Sequence, residues 1–131
     1  FLDNALLKGV APFYITNRVC NAMSDDDPTV LVLKRLRIPF EKSRLLCKTT
    51  TSDKTERRRE VAAKHRVLLL LGDDFNDFVL PPAKVADRAE LVRFHADKWG
   101  VKWFLIPNPT YGSWERAVGT TVSEKLKALH Y

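Results

Sequence analysis

The sequence has no apolar run near the ~20 residues that a bilayer-spanning helix needs, which excludes such a helix from these 131 residues. It has no internal repeat, no low-complexity segment and no compositional break, so a single domain is expected. Cysteine is scarce, limited to Cys20 and Cys47. The two could pair in an oxidising compartment, yet each stands where a small buried residue is natural, and the unpaired state is the expectation. No stripe of basic residues interleaved with aromatics runs along the chain, so nucleic acid is not an expected partner despite the net charge of +6. The basic residues are scattered apart from Arg57, Arg58 and Arg59 with Lys64 and Arg66. That distribution suits phosphate-bearing small molecules equally well. Phe1 stands where a methionine would begin a primary translation product. A processed or truncated N-terminus is therefore expected, and the want of a leader leaves location open.

What is present is the composition of a soluble globular chain, 45% hydrophobic and 29% charged. Its most informative stretch is VLLLLGDDFNDF at residues 67–78. Five consecutive aliphatic residues, 67–71, predict a strand buried on both faces, as in a parallel sheet covered by helices. Gly72 ends the run, and Asp73, Asp74 and Asp77 follow. Carboxylates so close repel one another, and burial raises their pKa values. A hard cation such as Mg²⁺ relieves both effects, because it takes carboxylate oxygens and water as ligands. The C-terminal edge of an open α/β sheet is also where such folds bind ligands. Taken alone, the stretch is equally compatible with an acidic surface loop after a core strand.

Residues 1–7 read as the end of an apolar-faced helix closed by Lys8 and Gly9. A short strand over 10–15 (VAPFYI) ends in Thr16, Asn17 and Arg18, a hydroxyl, an amide and a guanidinium that together suit an oxyanion. Asp25, Asp26 and Asp27 precede Pro28, which is the signature of a helix start rather than of a metal site. That helix is expected over about 29–36 and a second strand over 44–48 (RLLCK). Lys54 opens a helix over 55–64 that Ser52 or Asp53 caps. A lysine at a helix N-terminus opposes the dipole, which points Lys54 toward an anion. Arg57, Arg58 and Arg59 cannot share one helical face, so most of that run is read as solvated.

Leu80, Pro81 and Pro82 break the chain before a helix expected over 84–99 and closed by Gly100. It places Leu91, Phe94, His95 and Trp99 on one side, with His95 a packing residue. A strand over 102–106 (KWFLI), a Pro/Gly-rich loop over 107–114 (PNPTYGSW) and a helix over 123–130 ending near His130 complete the chain. Strands alternating with helices predict an α/β fold with a parallel sheet and helices on both faces. The polar clusters fall after strands or before helices, so they are expected to converge on one sheet edge.

In this order, FYITNR, TSDKTERRR, LLLLGDDFNDF and IPNPTYGSWE resemble the haloacid dehalogenase (HAD) superfamily of phosphatases. More narrowly they resemble the class C acid phosphatase group, which includes bacterial lipoprotein 5′-nucleotidases. The resemblance implies an HAD-like (Rossmannoid) parallel sheet and Mg²⁺-dependent phosphomonoester hydrolysis through an aspartyl-phosphate. It implies that Thr16 contacts the phosphoryl group with Asn17 and Arg18 beside it, and that Lys54 neutralises phosphate and nucleophile. Asp73 would ligate Mg²⁺, Asp77 would support the metal or its water, and Tyr111 would lie against the leaving group. The substrate implied is a phosphate monoester, with nucleoside monophosphates a candidate, and the location periplasmic, outer-membrane-anchored or secreted. The family's first motif, Asp-x-Asp-x-Thr/Val, is not in this chain. That motif supplies the nucleophile and the central first strand, so the chain is expected to be the C-terminal portion of one HAD-like domain. A preceding segment or a second chain would complete the sheet. A catalytically inactive phosphate-ester binding module and a phosphotransferase on the same scaffold are the alternatives.

Overall fold

Helices and strands alternate along the chain, as the hydrophobic pattern predicts. The computed structural model describes residues 1–79, 83–108 and 110–127. The expected break at Leu80, Pro81 and Pro82, and His130, lie outside the described residues. The chain divides into two compact units, Phe1–His65 and Arg66–Tyr131.

The first unit contains α1 (Leu2–Leu7), β1 (Tyr14–Ile15), α2 (Pro28–Arg35), a 3₁₀ turn (Lys42–Arg44), β2 (Leu45–Leu46) and α3 (Thr55–Lys64). Helix α1 ends where expected, with Gly9 in the left-handed region at φ 73°. None of its residues is buried, however. Helix α2 starts as its sequence dictates: Pro28 occupies the first turn and Asp27 accepts a 2.8 Å hydrogen bond from the Thr29 N–H. Asp25 pairs with Lys34 at 2.7 Å and Lys42 at 2.9 Å. Hydrogen bonds from these two lysines hold its carboxyl at about 2. Strands β1 and β2 run parallel, Tyr14 opposite Leu45 and Ile15 opposite Leu46. Val30 and Leu45 are the buried aliphatic side chains of this unit.

Cys20 and Cys47 form a disulfide with Cα atoms 5.5 Å apart, which corrects the expectation that they stay unpaired. The parallel pairing of β1 with β2 is the reason, since each cysteine follows one of the paired strands closely. Closing a loop of this length stabilises by about 3–4 kcal/mol in the chain-entropy account.

The second unit contains β3 (Leu70–Gly72), 3₁₀ turns at Phe75–Asp77 and Val85–Asp87, α4 (Arg88–Phe94), β4 (Trp103–Leu105), α5 (Glu115–Val118) and α6 (Val122–Lys127). Strands β3 and β4 are parallel, with Leu70, Leu71 and Gly72 opposite Trp103, Phe104 and Leu105. Phe78, Val79 and Trp103 form the core, joined by Leu70, Phe75, Ala83 and Trp99. The helix expected over 84–99 is shorter. It opens as a 3₁₀ turn, and α4 ends at Phe94, which is exposed rather than packed. His95 is a packing residue as expected, its ring 4.8 Å from that of Trp103. Burial, then the nearby Lys98, lower its pKa.

The aliphatic run does not have two buried faces. Val67, Leu68 and Leu71 are 45%, 45% and 46% exposed. The physical reason is the size of the sheet: among the described residues β3 has one neighbouring strand, β4. A two-stranded sheet leaves an unpaired strand edge and apolar side chains without cover.

Candidate functional site

The predicted polar residues form two clusters, one in each unit. In the first unit, the turn after β1 is fixed through its main chain. The Thr16 N–H donates to the Leu46 carbonyl at 3.0 Å, and the Thr16 carbonyl accepts from Arg57 Nη1. Thr16 Oγ1 accepts from the Arg18 N–H at 3.2 Å. The Arg18 carbonyl in turn accepts from the Lys48 N–H at 2.9 Å, leaving the Arg18 residue exposed. Arg57 Nη2 donates to Asn17 Oδ1 at 2.8 Å and to the Asp53 carbonyl at 3.1 Å.

Neither Ser52 nor Asp53 occupies the N-cap of α3, which is Lys54 without a side-chain cap; Asp53, one residue before it, accepts the Thr55 N–H at 2.8 Å. The adjoining Thr55, its hydroxyl and N–H both beside the carboxylate, holds the Asp53 carboxyl below the usual carboxylate range. Lys54 follows, half-buried at the N-cap position of α3. Arg57 and Arg58 are buried, only 8% and 9% exposed, which corrects the reading of that run as mostly solvated. Arg59 alone of the three fits that reading, exposed and paired with Glu56 at 2.6 Å. The difference is non-local, because the acceptors that make burial of Arg57 tolerable sit about 40 residues earlier.

In the second unit, the acidic turn after β3 is built on a close approach. A Cβ at Gly72 would lie 2.5 Å from Asp77 Cβ and 2.7 Å from Asp77 Oδ2, so only glycine fits. Asp77 Oδ2 accepts the N–H groups of Asp73 and Asp74, both at 3.2 Å. Asp74 Oδ1 accepts the Asn76 N–H at 2.9 Å, and a capping box on the 3₁₀ turn pairs the Asp74 side chain with the Asp77 N–H and the Asp77 side chain with the Asp74 N–H. Asp74 also reaches the loop after β4: its Oδ2 accepts the Ser113 N–H at 2.7 Å and its Oδ1 the Ser113 hydroxyl at 2.8 Å. Arg88 Nη2 donates to the same hydroxyl at 2.6 Å. Burial acts to raise the Asp74 pKa, but hydrogen bonds from Ser113 and Asn76 outweigh it and lower the pKa overall. The stabilisation from this ionised contact is therefore present above the ordinary carboxylate pKa and lost as pH falls through the lowered one.

Asp73 differs from its neighbours. It is exposed, and its Oδ2 accepts from Asn108 Nδ2 at 2.7 Å. Asn108 also organises the loop, its Oδ1 accepting the N–H groups of Thr110 at 3.1 Å and Tyr111 at 3.4 Å. Trp114 Nε1 closes the loop onto the Asn108 carbonyl at 3.0 Å. Tyr111 is 63% exposed.

The second cluster thus brings Asp73, Asp74, Asp77, Asn108 and Ser113 together, of which Asn108 and Ser113 were not singled out as site residues. The capping signal Asp74-x-x-Asp77 was legible in sequence; the contacts across to Asn108 and Ser113 were not. Asp74 uses both oxygens on hydrogen bonds, and Asp77 Oδ2 holds two backbone N–H groups. Among the described residues no group of three His, Cys, Asp or Glu is placed to hold a cation. Asp73, exposed and engaged by Asn108, is the carboxylate of this turn that could take a hard cation such as Mg²⁺, which one or two carboxylates with waters and substrate phosphate commonly hold.

The pattern of the HAD superfamily, subfamily IIIB (acid phosphatase), matches residues 1–114. The fold is similar to the class C acid phosphatase from Bacillus anthracis, with a TM-score of 0.78 and 27% identity over 99% of this chain. It is also similar to the structure of class C acid phosphatase from Bacillus anthracis with tungstate bound, with a TM-score of 0.77 and 26% identity over 99% of this chain. The chain spans 58% and 59% of those two solved chains. By that match over most of its length, the chain belongs to the HAD superfamily, subfamily IIIB, the acid phosphatases.

Proposed function

We propose that the full-length protein carrying this chain is a Mg²⁺-dependent phosphomonoesterase that acts through an aspartyl-phosphate, with its nucleophile supplied outside these residues. The observation that carries this reading is the division of labour in the acidic turn. Asp74 and Asp77 are engaged in holding the turn, and Asp73 is presented from it, exposed, at the C-terminal end of β3. Tungstate, bound by the similar phosphatase, is a tetrahedral oxyanion like phosphate, and this supports an oxyanion site on the matching residues of this chain.

In this reading Asp73 ligates Mg²⁺ and Asp77 supports it through the turn. The metal, when bound, stabilises charge on the transferring phosphoryl group. The Thr16 hydroxyl, already accepting from the Arg18 N–H, keeps its own proton to donate to a phosphoryl oxygen. Asn17 and Arg18 add donors beside it, and Lys54 neutralises negative charge on phosphate and nucleophile. The Cys20–Cys47 disulfide fits an oxidising location, periplasmic or extracellular. The full-length protein is expected to hydrolyse p-nitrophenyl phosphate, to lose about 10²-fold or more in rate with EDTA, and to recover with added Mg²⁺. Turnover indifferent to chelation would overturn the metal assignment.

The substrate class within this reading is a nucleoside monophosphate, and Tyr111 supports it. The side chain is exposed on a loop held by Asn108 and Trp114, where a base could stack on the ring. Base–aromatic stacking is worth about 1–3 kcal/mol. Tyr111→Ala is therefore expected to raise KM for nucleoside monophosphates by about 10-fold while leaving KM for a small alkyl phosphate nearly unchanged. Equal effects on the two substrates would make Tyr111 structural.

A further inference from the structure

We infer that Arg57 is a positioning residue that sets Thr16 and Asn17 as donors to a substrate oxyanion, an inference that rests on the phosphatase reading of the turn after β1. The Arg57 guanidinium donates to the Thr16 carbonyl, to Asn17 Oδ1 at 2.8 Å and to the Asp53 carbonyl at 3.1 Å. One planar group thereby joins the turn carrying Thr16 to the residue that precedes Lys54.

The chemistry of the guanidinium decides how Asn17 is oriented. Arginine has five N–H donors and no acceptor, so the atom of Asn17 that it meets must be the amide oxygen. The Asn17 NH₂ is then the end turned away from Arg57, and it can only donate. An oxyanion needs donors, so this orientation is the useful one. For Thr16, the N–H is committed to Leu46 and the carbonyl to Arg57. With Oγ1 accepting from Arg18, the hydroxyl proton is the donor left to substrate.

The position of Arg57 argues that this link is purposeful. A cation in the first turn of a helix opposes the dipole, and Arg57 is 8% exposed as well. Solvation would be the easier state for a surface helix arginine. Three acceptors from two segments compensate for its burial, and a lysine in its place could not span them with one rigid fork.

The test uses the full-length protein with p-nitrophenyl phosphate as substrate. Arg57→Lys keeps the charge and loses the fork; it is expected to lower the melting temperature, because buried acceptors lose their donor, and in enzyme still folded at the assay temperature to lower kcat about 10- to 100-fold. Asn17→Ala is expected to lower kcat to a similar extent. If Arg57 acts through Asn17, the double variant falls no further than the worse single variant, because the two losses are of one interaction. Asn17→Asp retains an acceptor for Arg57 and removes the outward NH₂ donor, so it should fold normally and turn over as slowly as Asn17→Ala. Multiplying losses in the double variant, or an Arg57→Lys enzyme with unchanged kcat, would overturn the inference. So would an Asn17→Ala enzyme of unchanged kcat, whereas the phosphatase reading would still stand on the Mg²⁺ dependence.

Discussion

In the full-length protein, Asp73→Asn is expected to lower kcat for a phosphomonoester by about 10³-fold or more while leaving the melting temperature where it was. The two halves of that expectation come from different features of the same turn. Asp73 is exposed, and the structure gives its side chain one partner, Asn108, which an asparagine could still meet through its amide oxygen. A surface substitution of this kind changes stability by about 0.5 kcal/mol or less. What it removes is the negative charge at the C-terminal end of β3 on which the proposed metal site depends. Asp77→Ala provides the contrast within the same experiment. Its Oδ2 accepts two backbone N–H groups, so truncation strands both donors and should lower the melting temperature as well as the rate. Measured side by side by thermal denaturation and initial rates, the two variants separate ligand from scaffold. An Asp73→Asn enzyme with full Mg²⁺-dependent activity would remove Asp73 from the metal site.

The order of elements and several of their ends could be read from sequence because the determining interactions are local. Asp27 and Pro28 start α2 within three residues of themselves, and Gly9 takes positive φ just past the end of α1, whereas α4 stops at Phe94, six residues before the expected cap at Gly100. The parallel pairing of β1 with β2 and of β3 with β4 follows from strands separated by helices. Features set by distant partners were not legible. Nothing in the spacing of two cysteines fixes their pairing, which depends on the register of β1 against β2. The burial of Arg57 depends on Thr16 and Asn17, so a helical wheel assigns it to solvent wrongly. Asp74 is another such case, since its hydrogen bonds to Ser113 span 39 residues. Periodicity also overstated the cover on residues 67–71, because an aliphatic run reports what a strand needs and not which neighbours this chain supplies. Exposed Leu71 and Leu105 record that shortfall.

The 131-residue chain by itself is expected to show no measurable hydrolysis of phosphate esters, at least ~10³-fold below the full-length protein. The reason is that, among the described residues, the carboxylates of the acidic turn and of α1 are committed elsewhere or poorly placed to be the nucleophile. Asp74 has both oxygens engaged by Ser113 and Asn76, and Asp77 packs over Gly72 with Oδ2 on two backbone N–H groups. Asp3 lies in the first turn of α1, a helix with no buried residue. Asp73 is the carboxylate proposed to hold the metal. Thr16, Asn17, Arg18 and Lys54 can bind and polarise a phosphate, but binding and electrostatics alone leave only a small residue of a covalent enzyme's rate. The same gap is visible in packing. Strand β3 has a single partner strand among the described residues, and Leu71, Leu105 and Ile106 are about half exposed. A further strand carrying Asp-x-Asp would pair backbone groups and cover apolar side chains together. We therefore expect that mixing the purified chain with the separately produced remainder of the full-length protein restores turnover. Amide exchange at Leu70 and Leu71 should slow in the same mixture, by the protection that a new strand neighbour gives. Turnover by the chain alone at close to the full-length rate would place the nucleophile within these residues and refute the expectation.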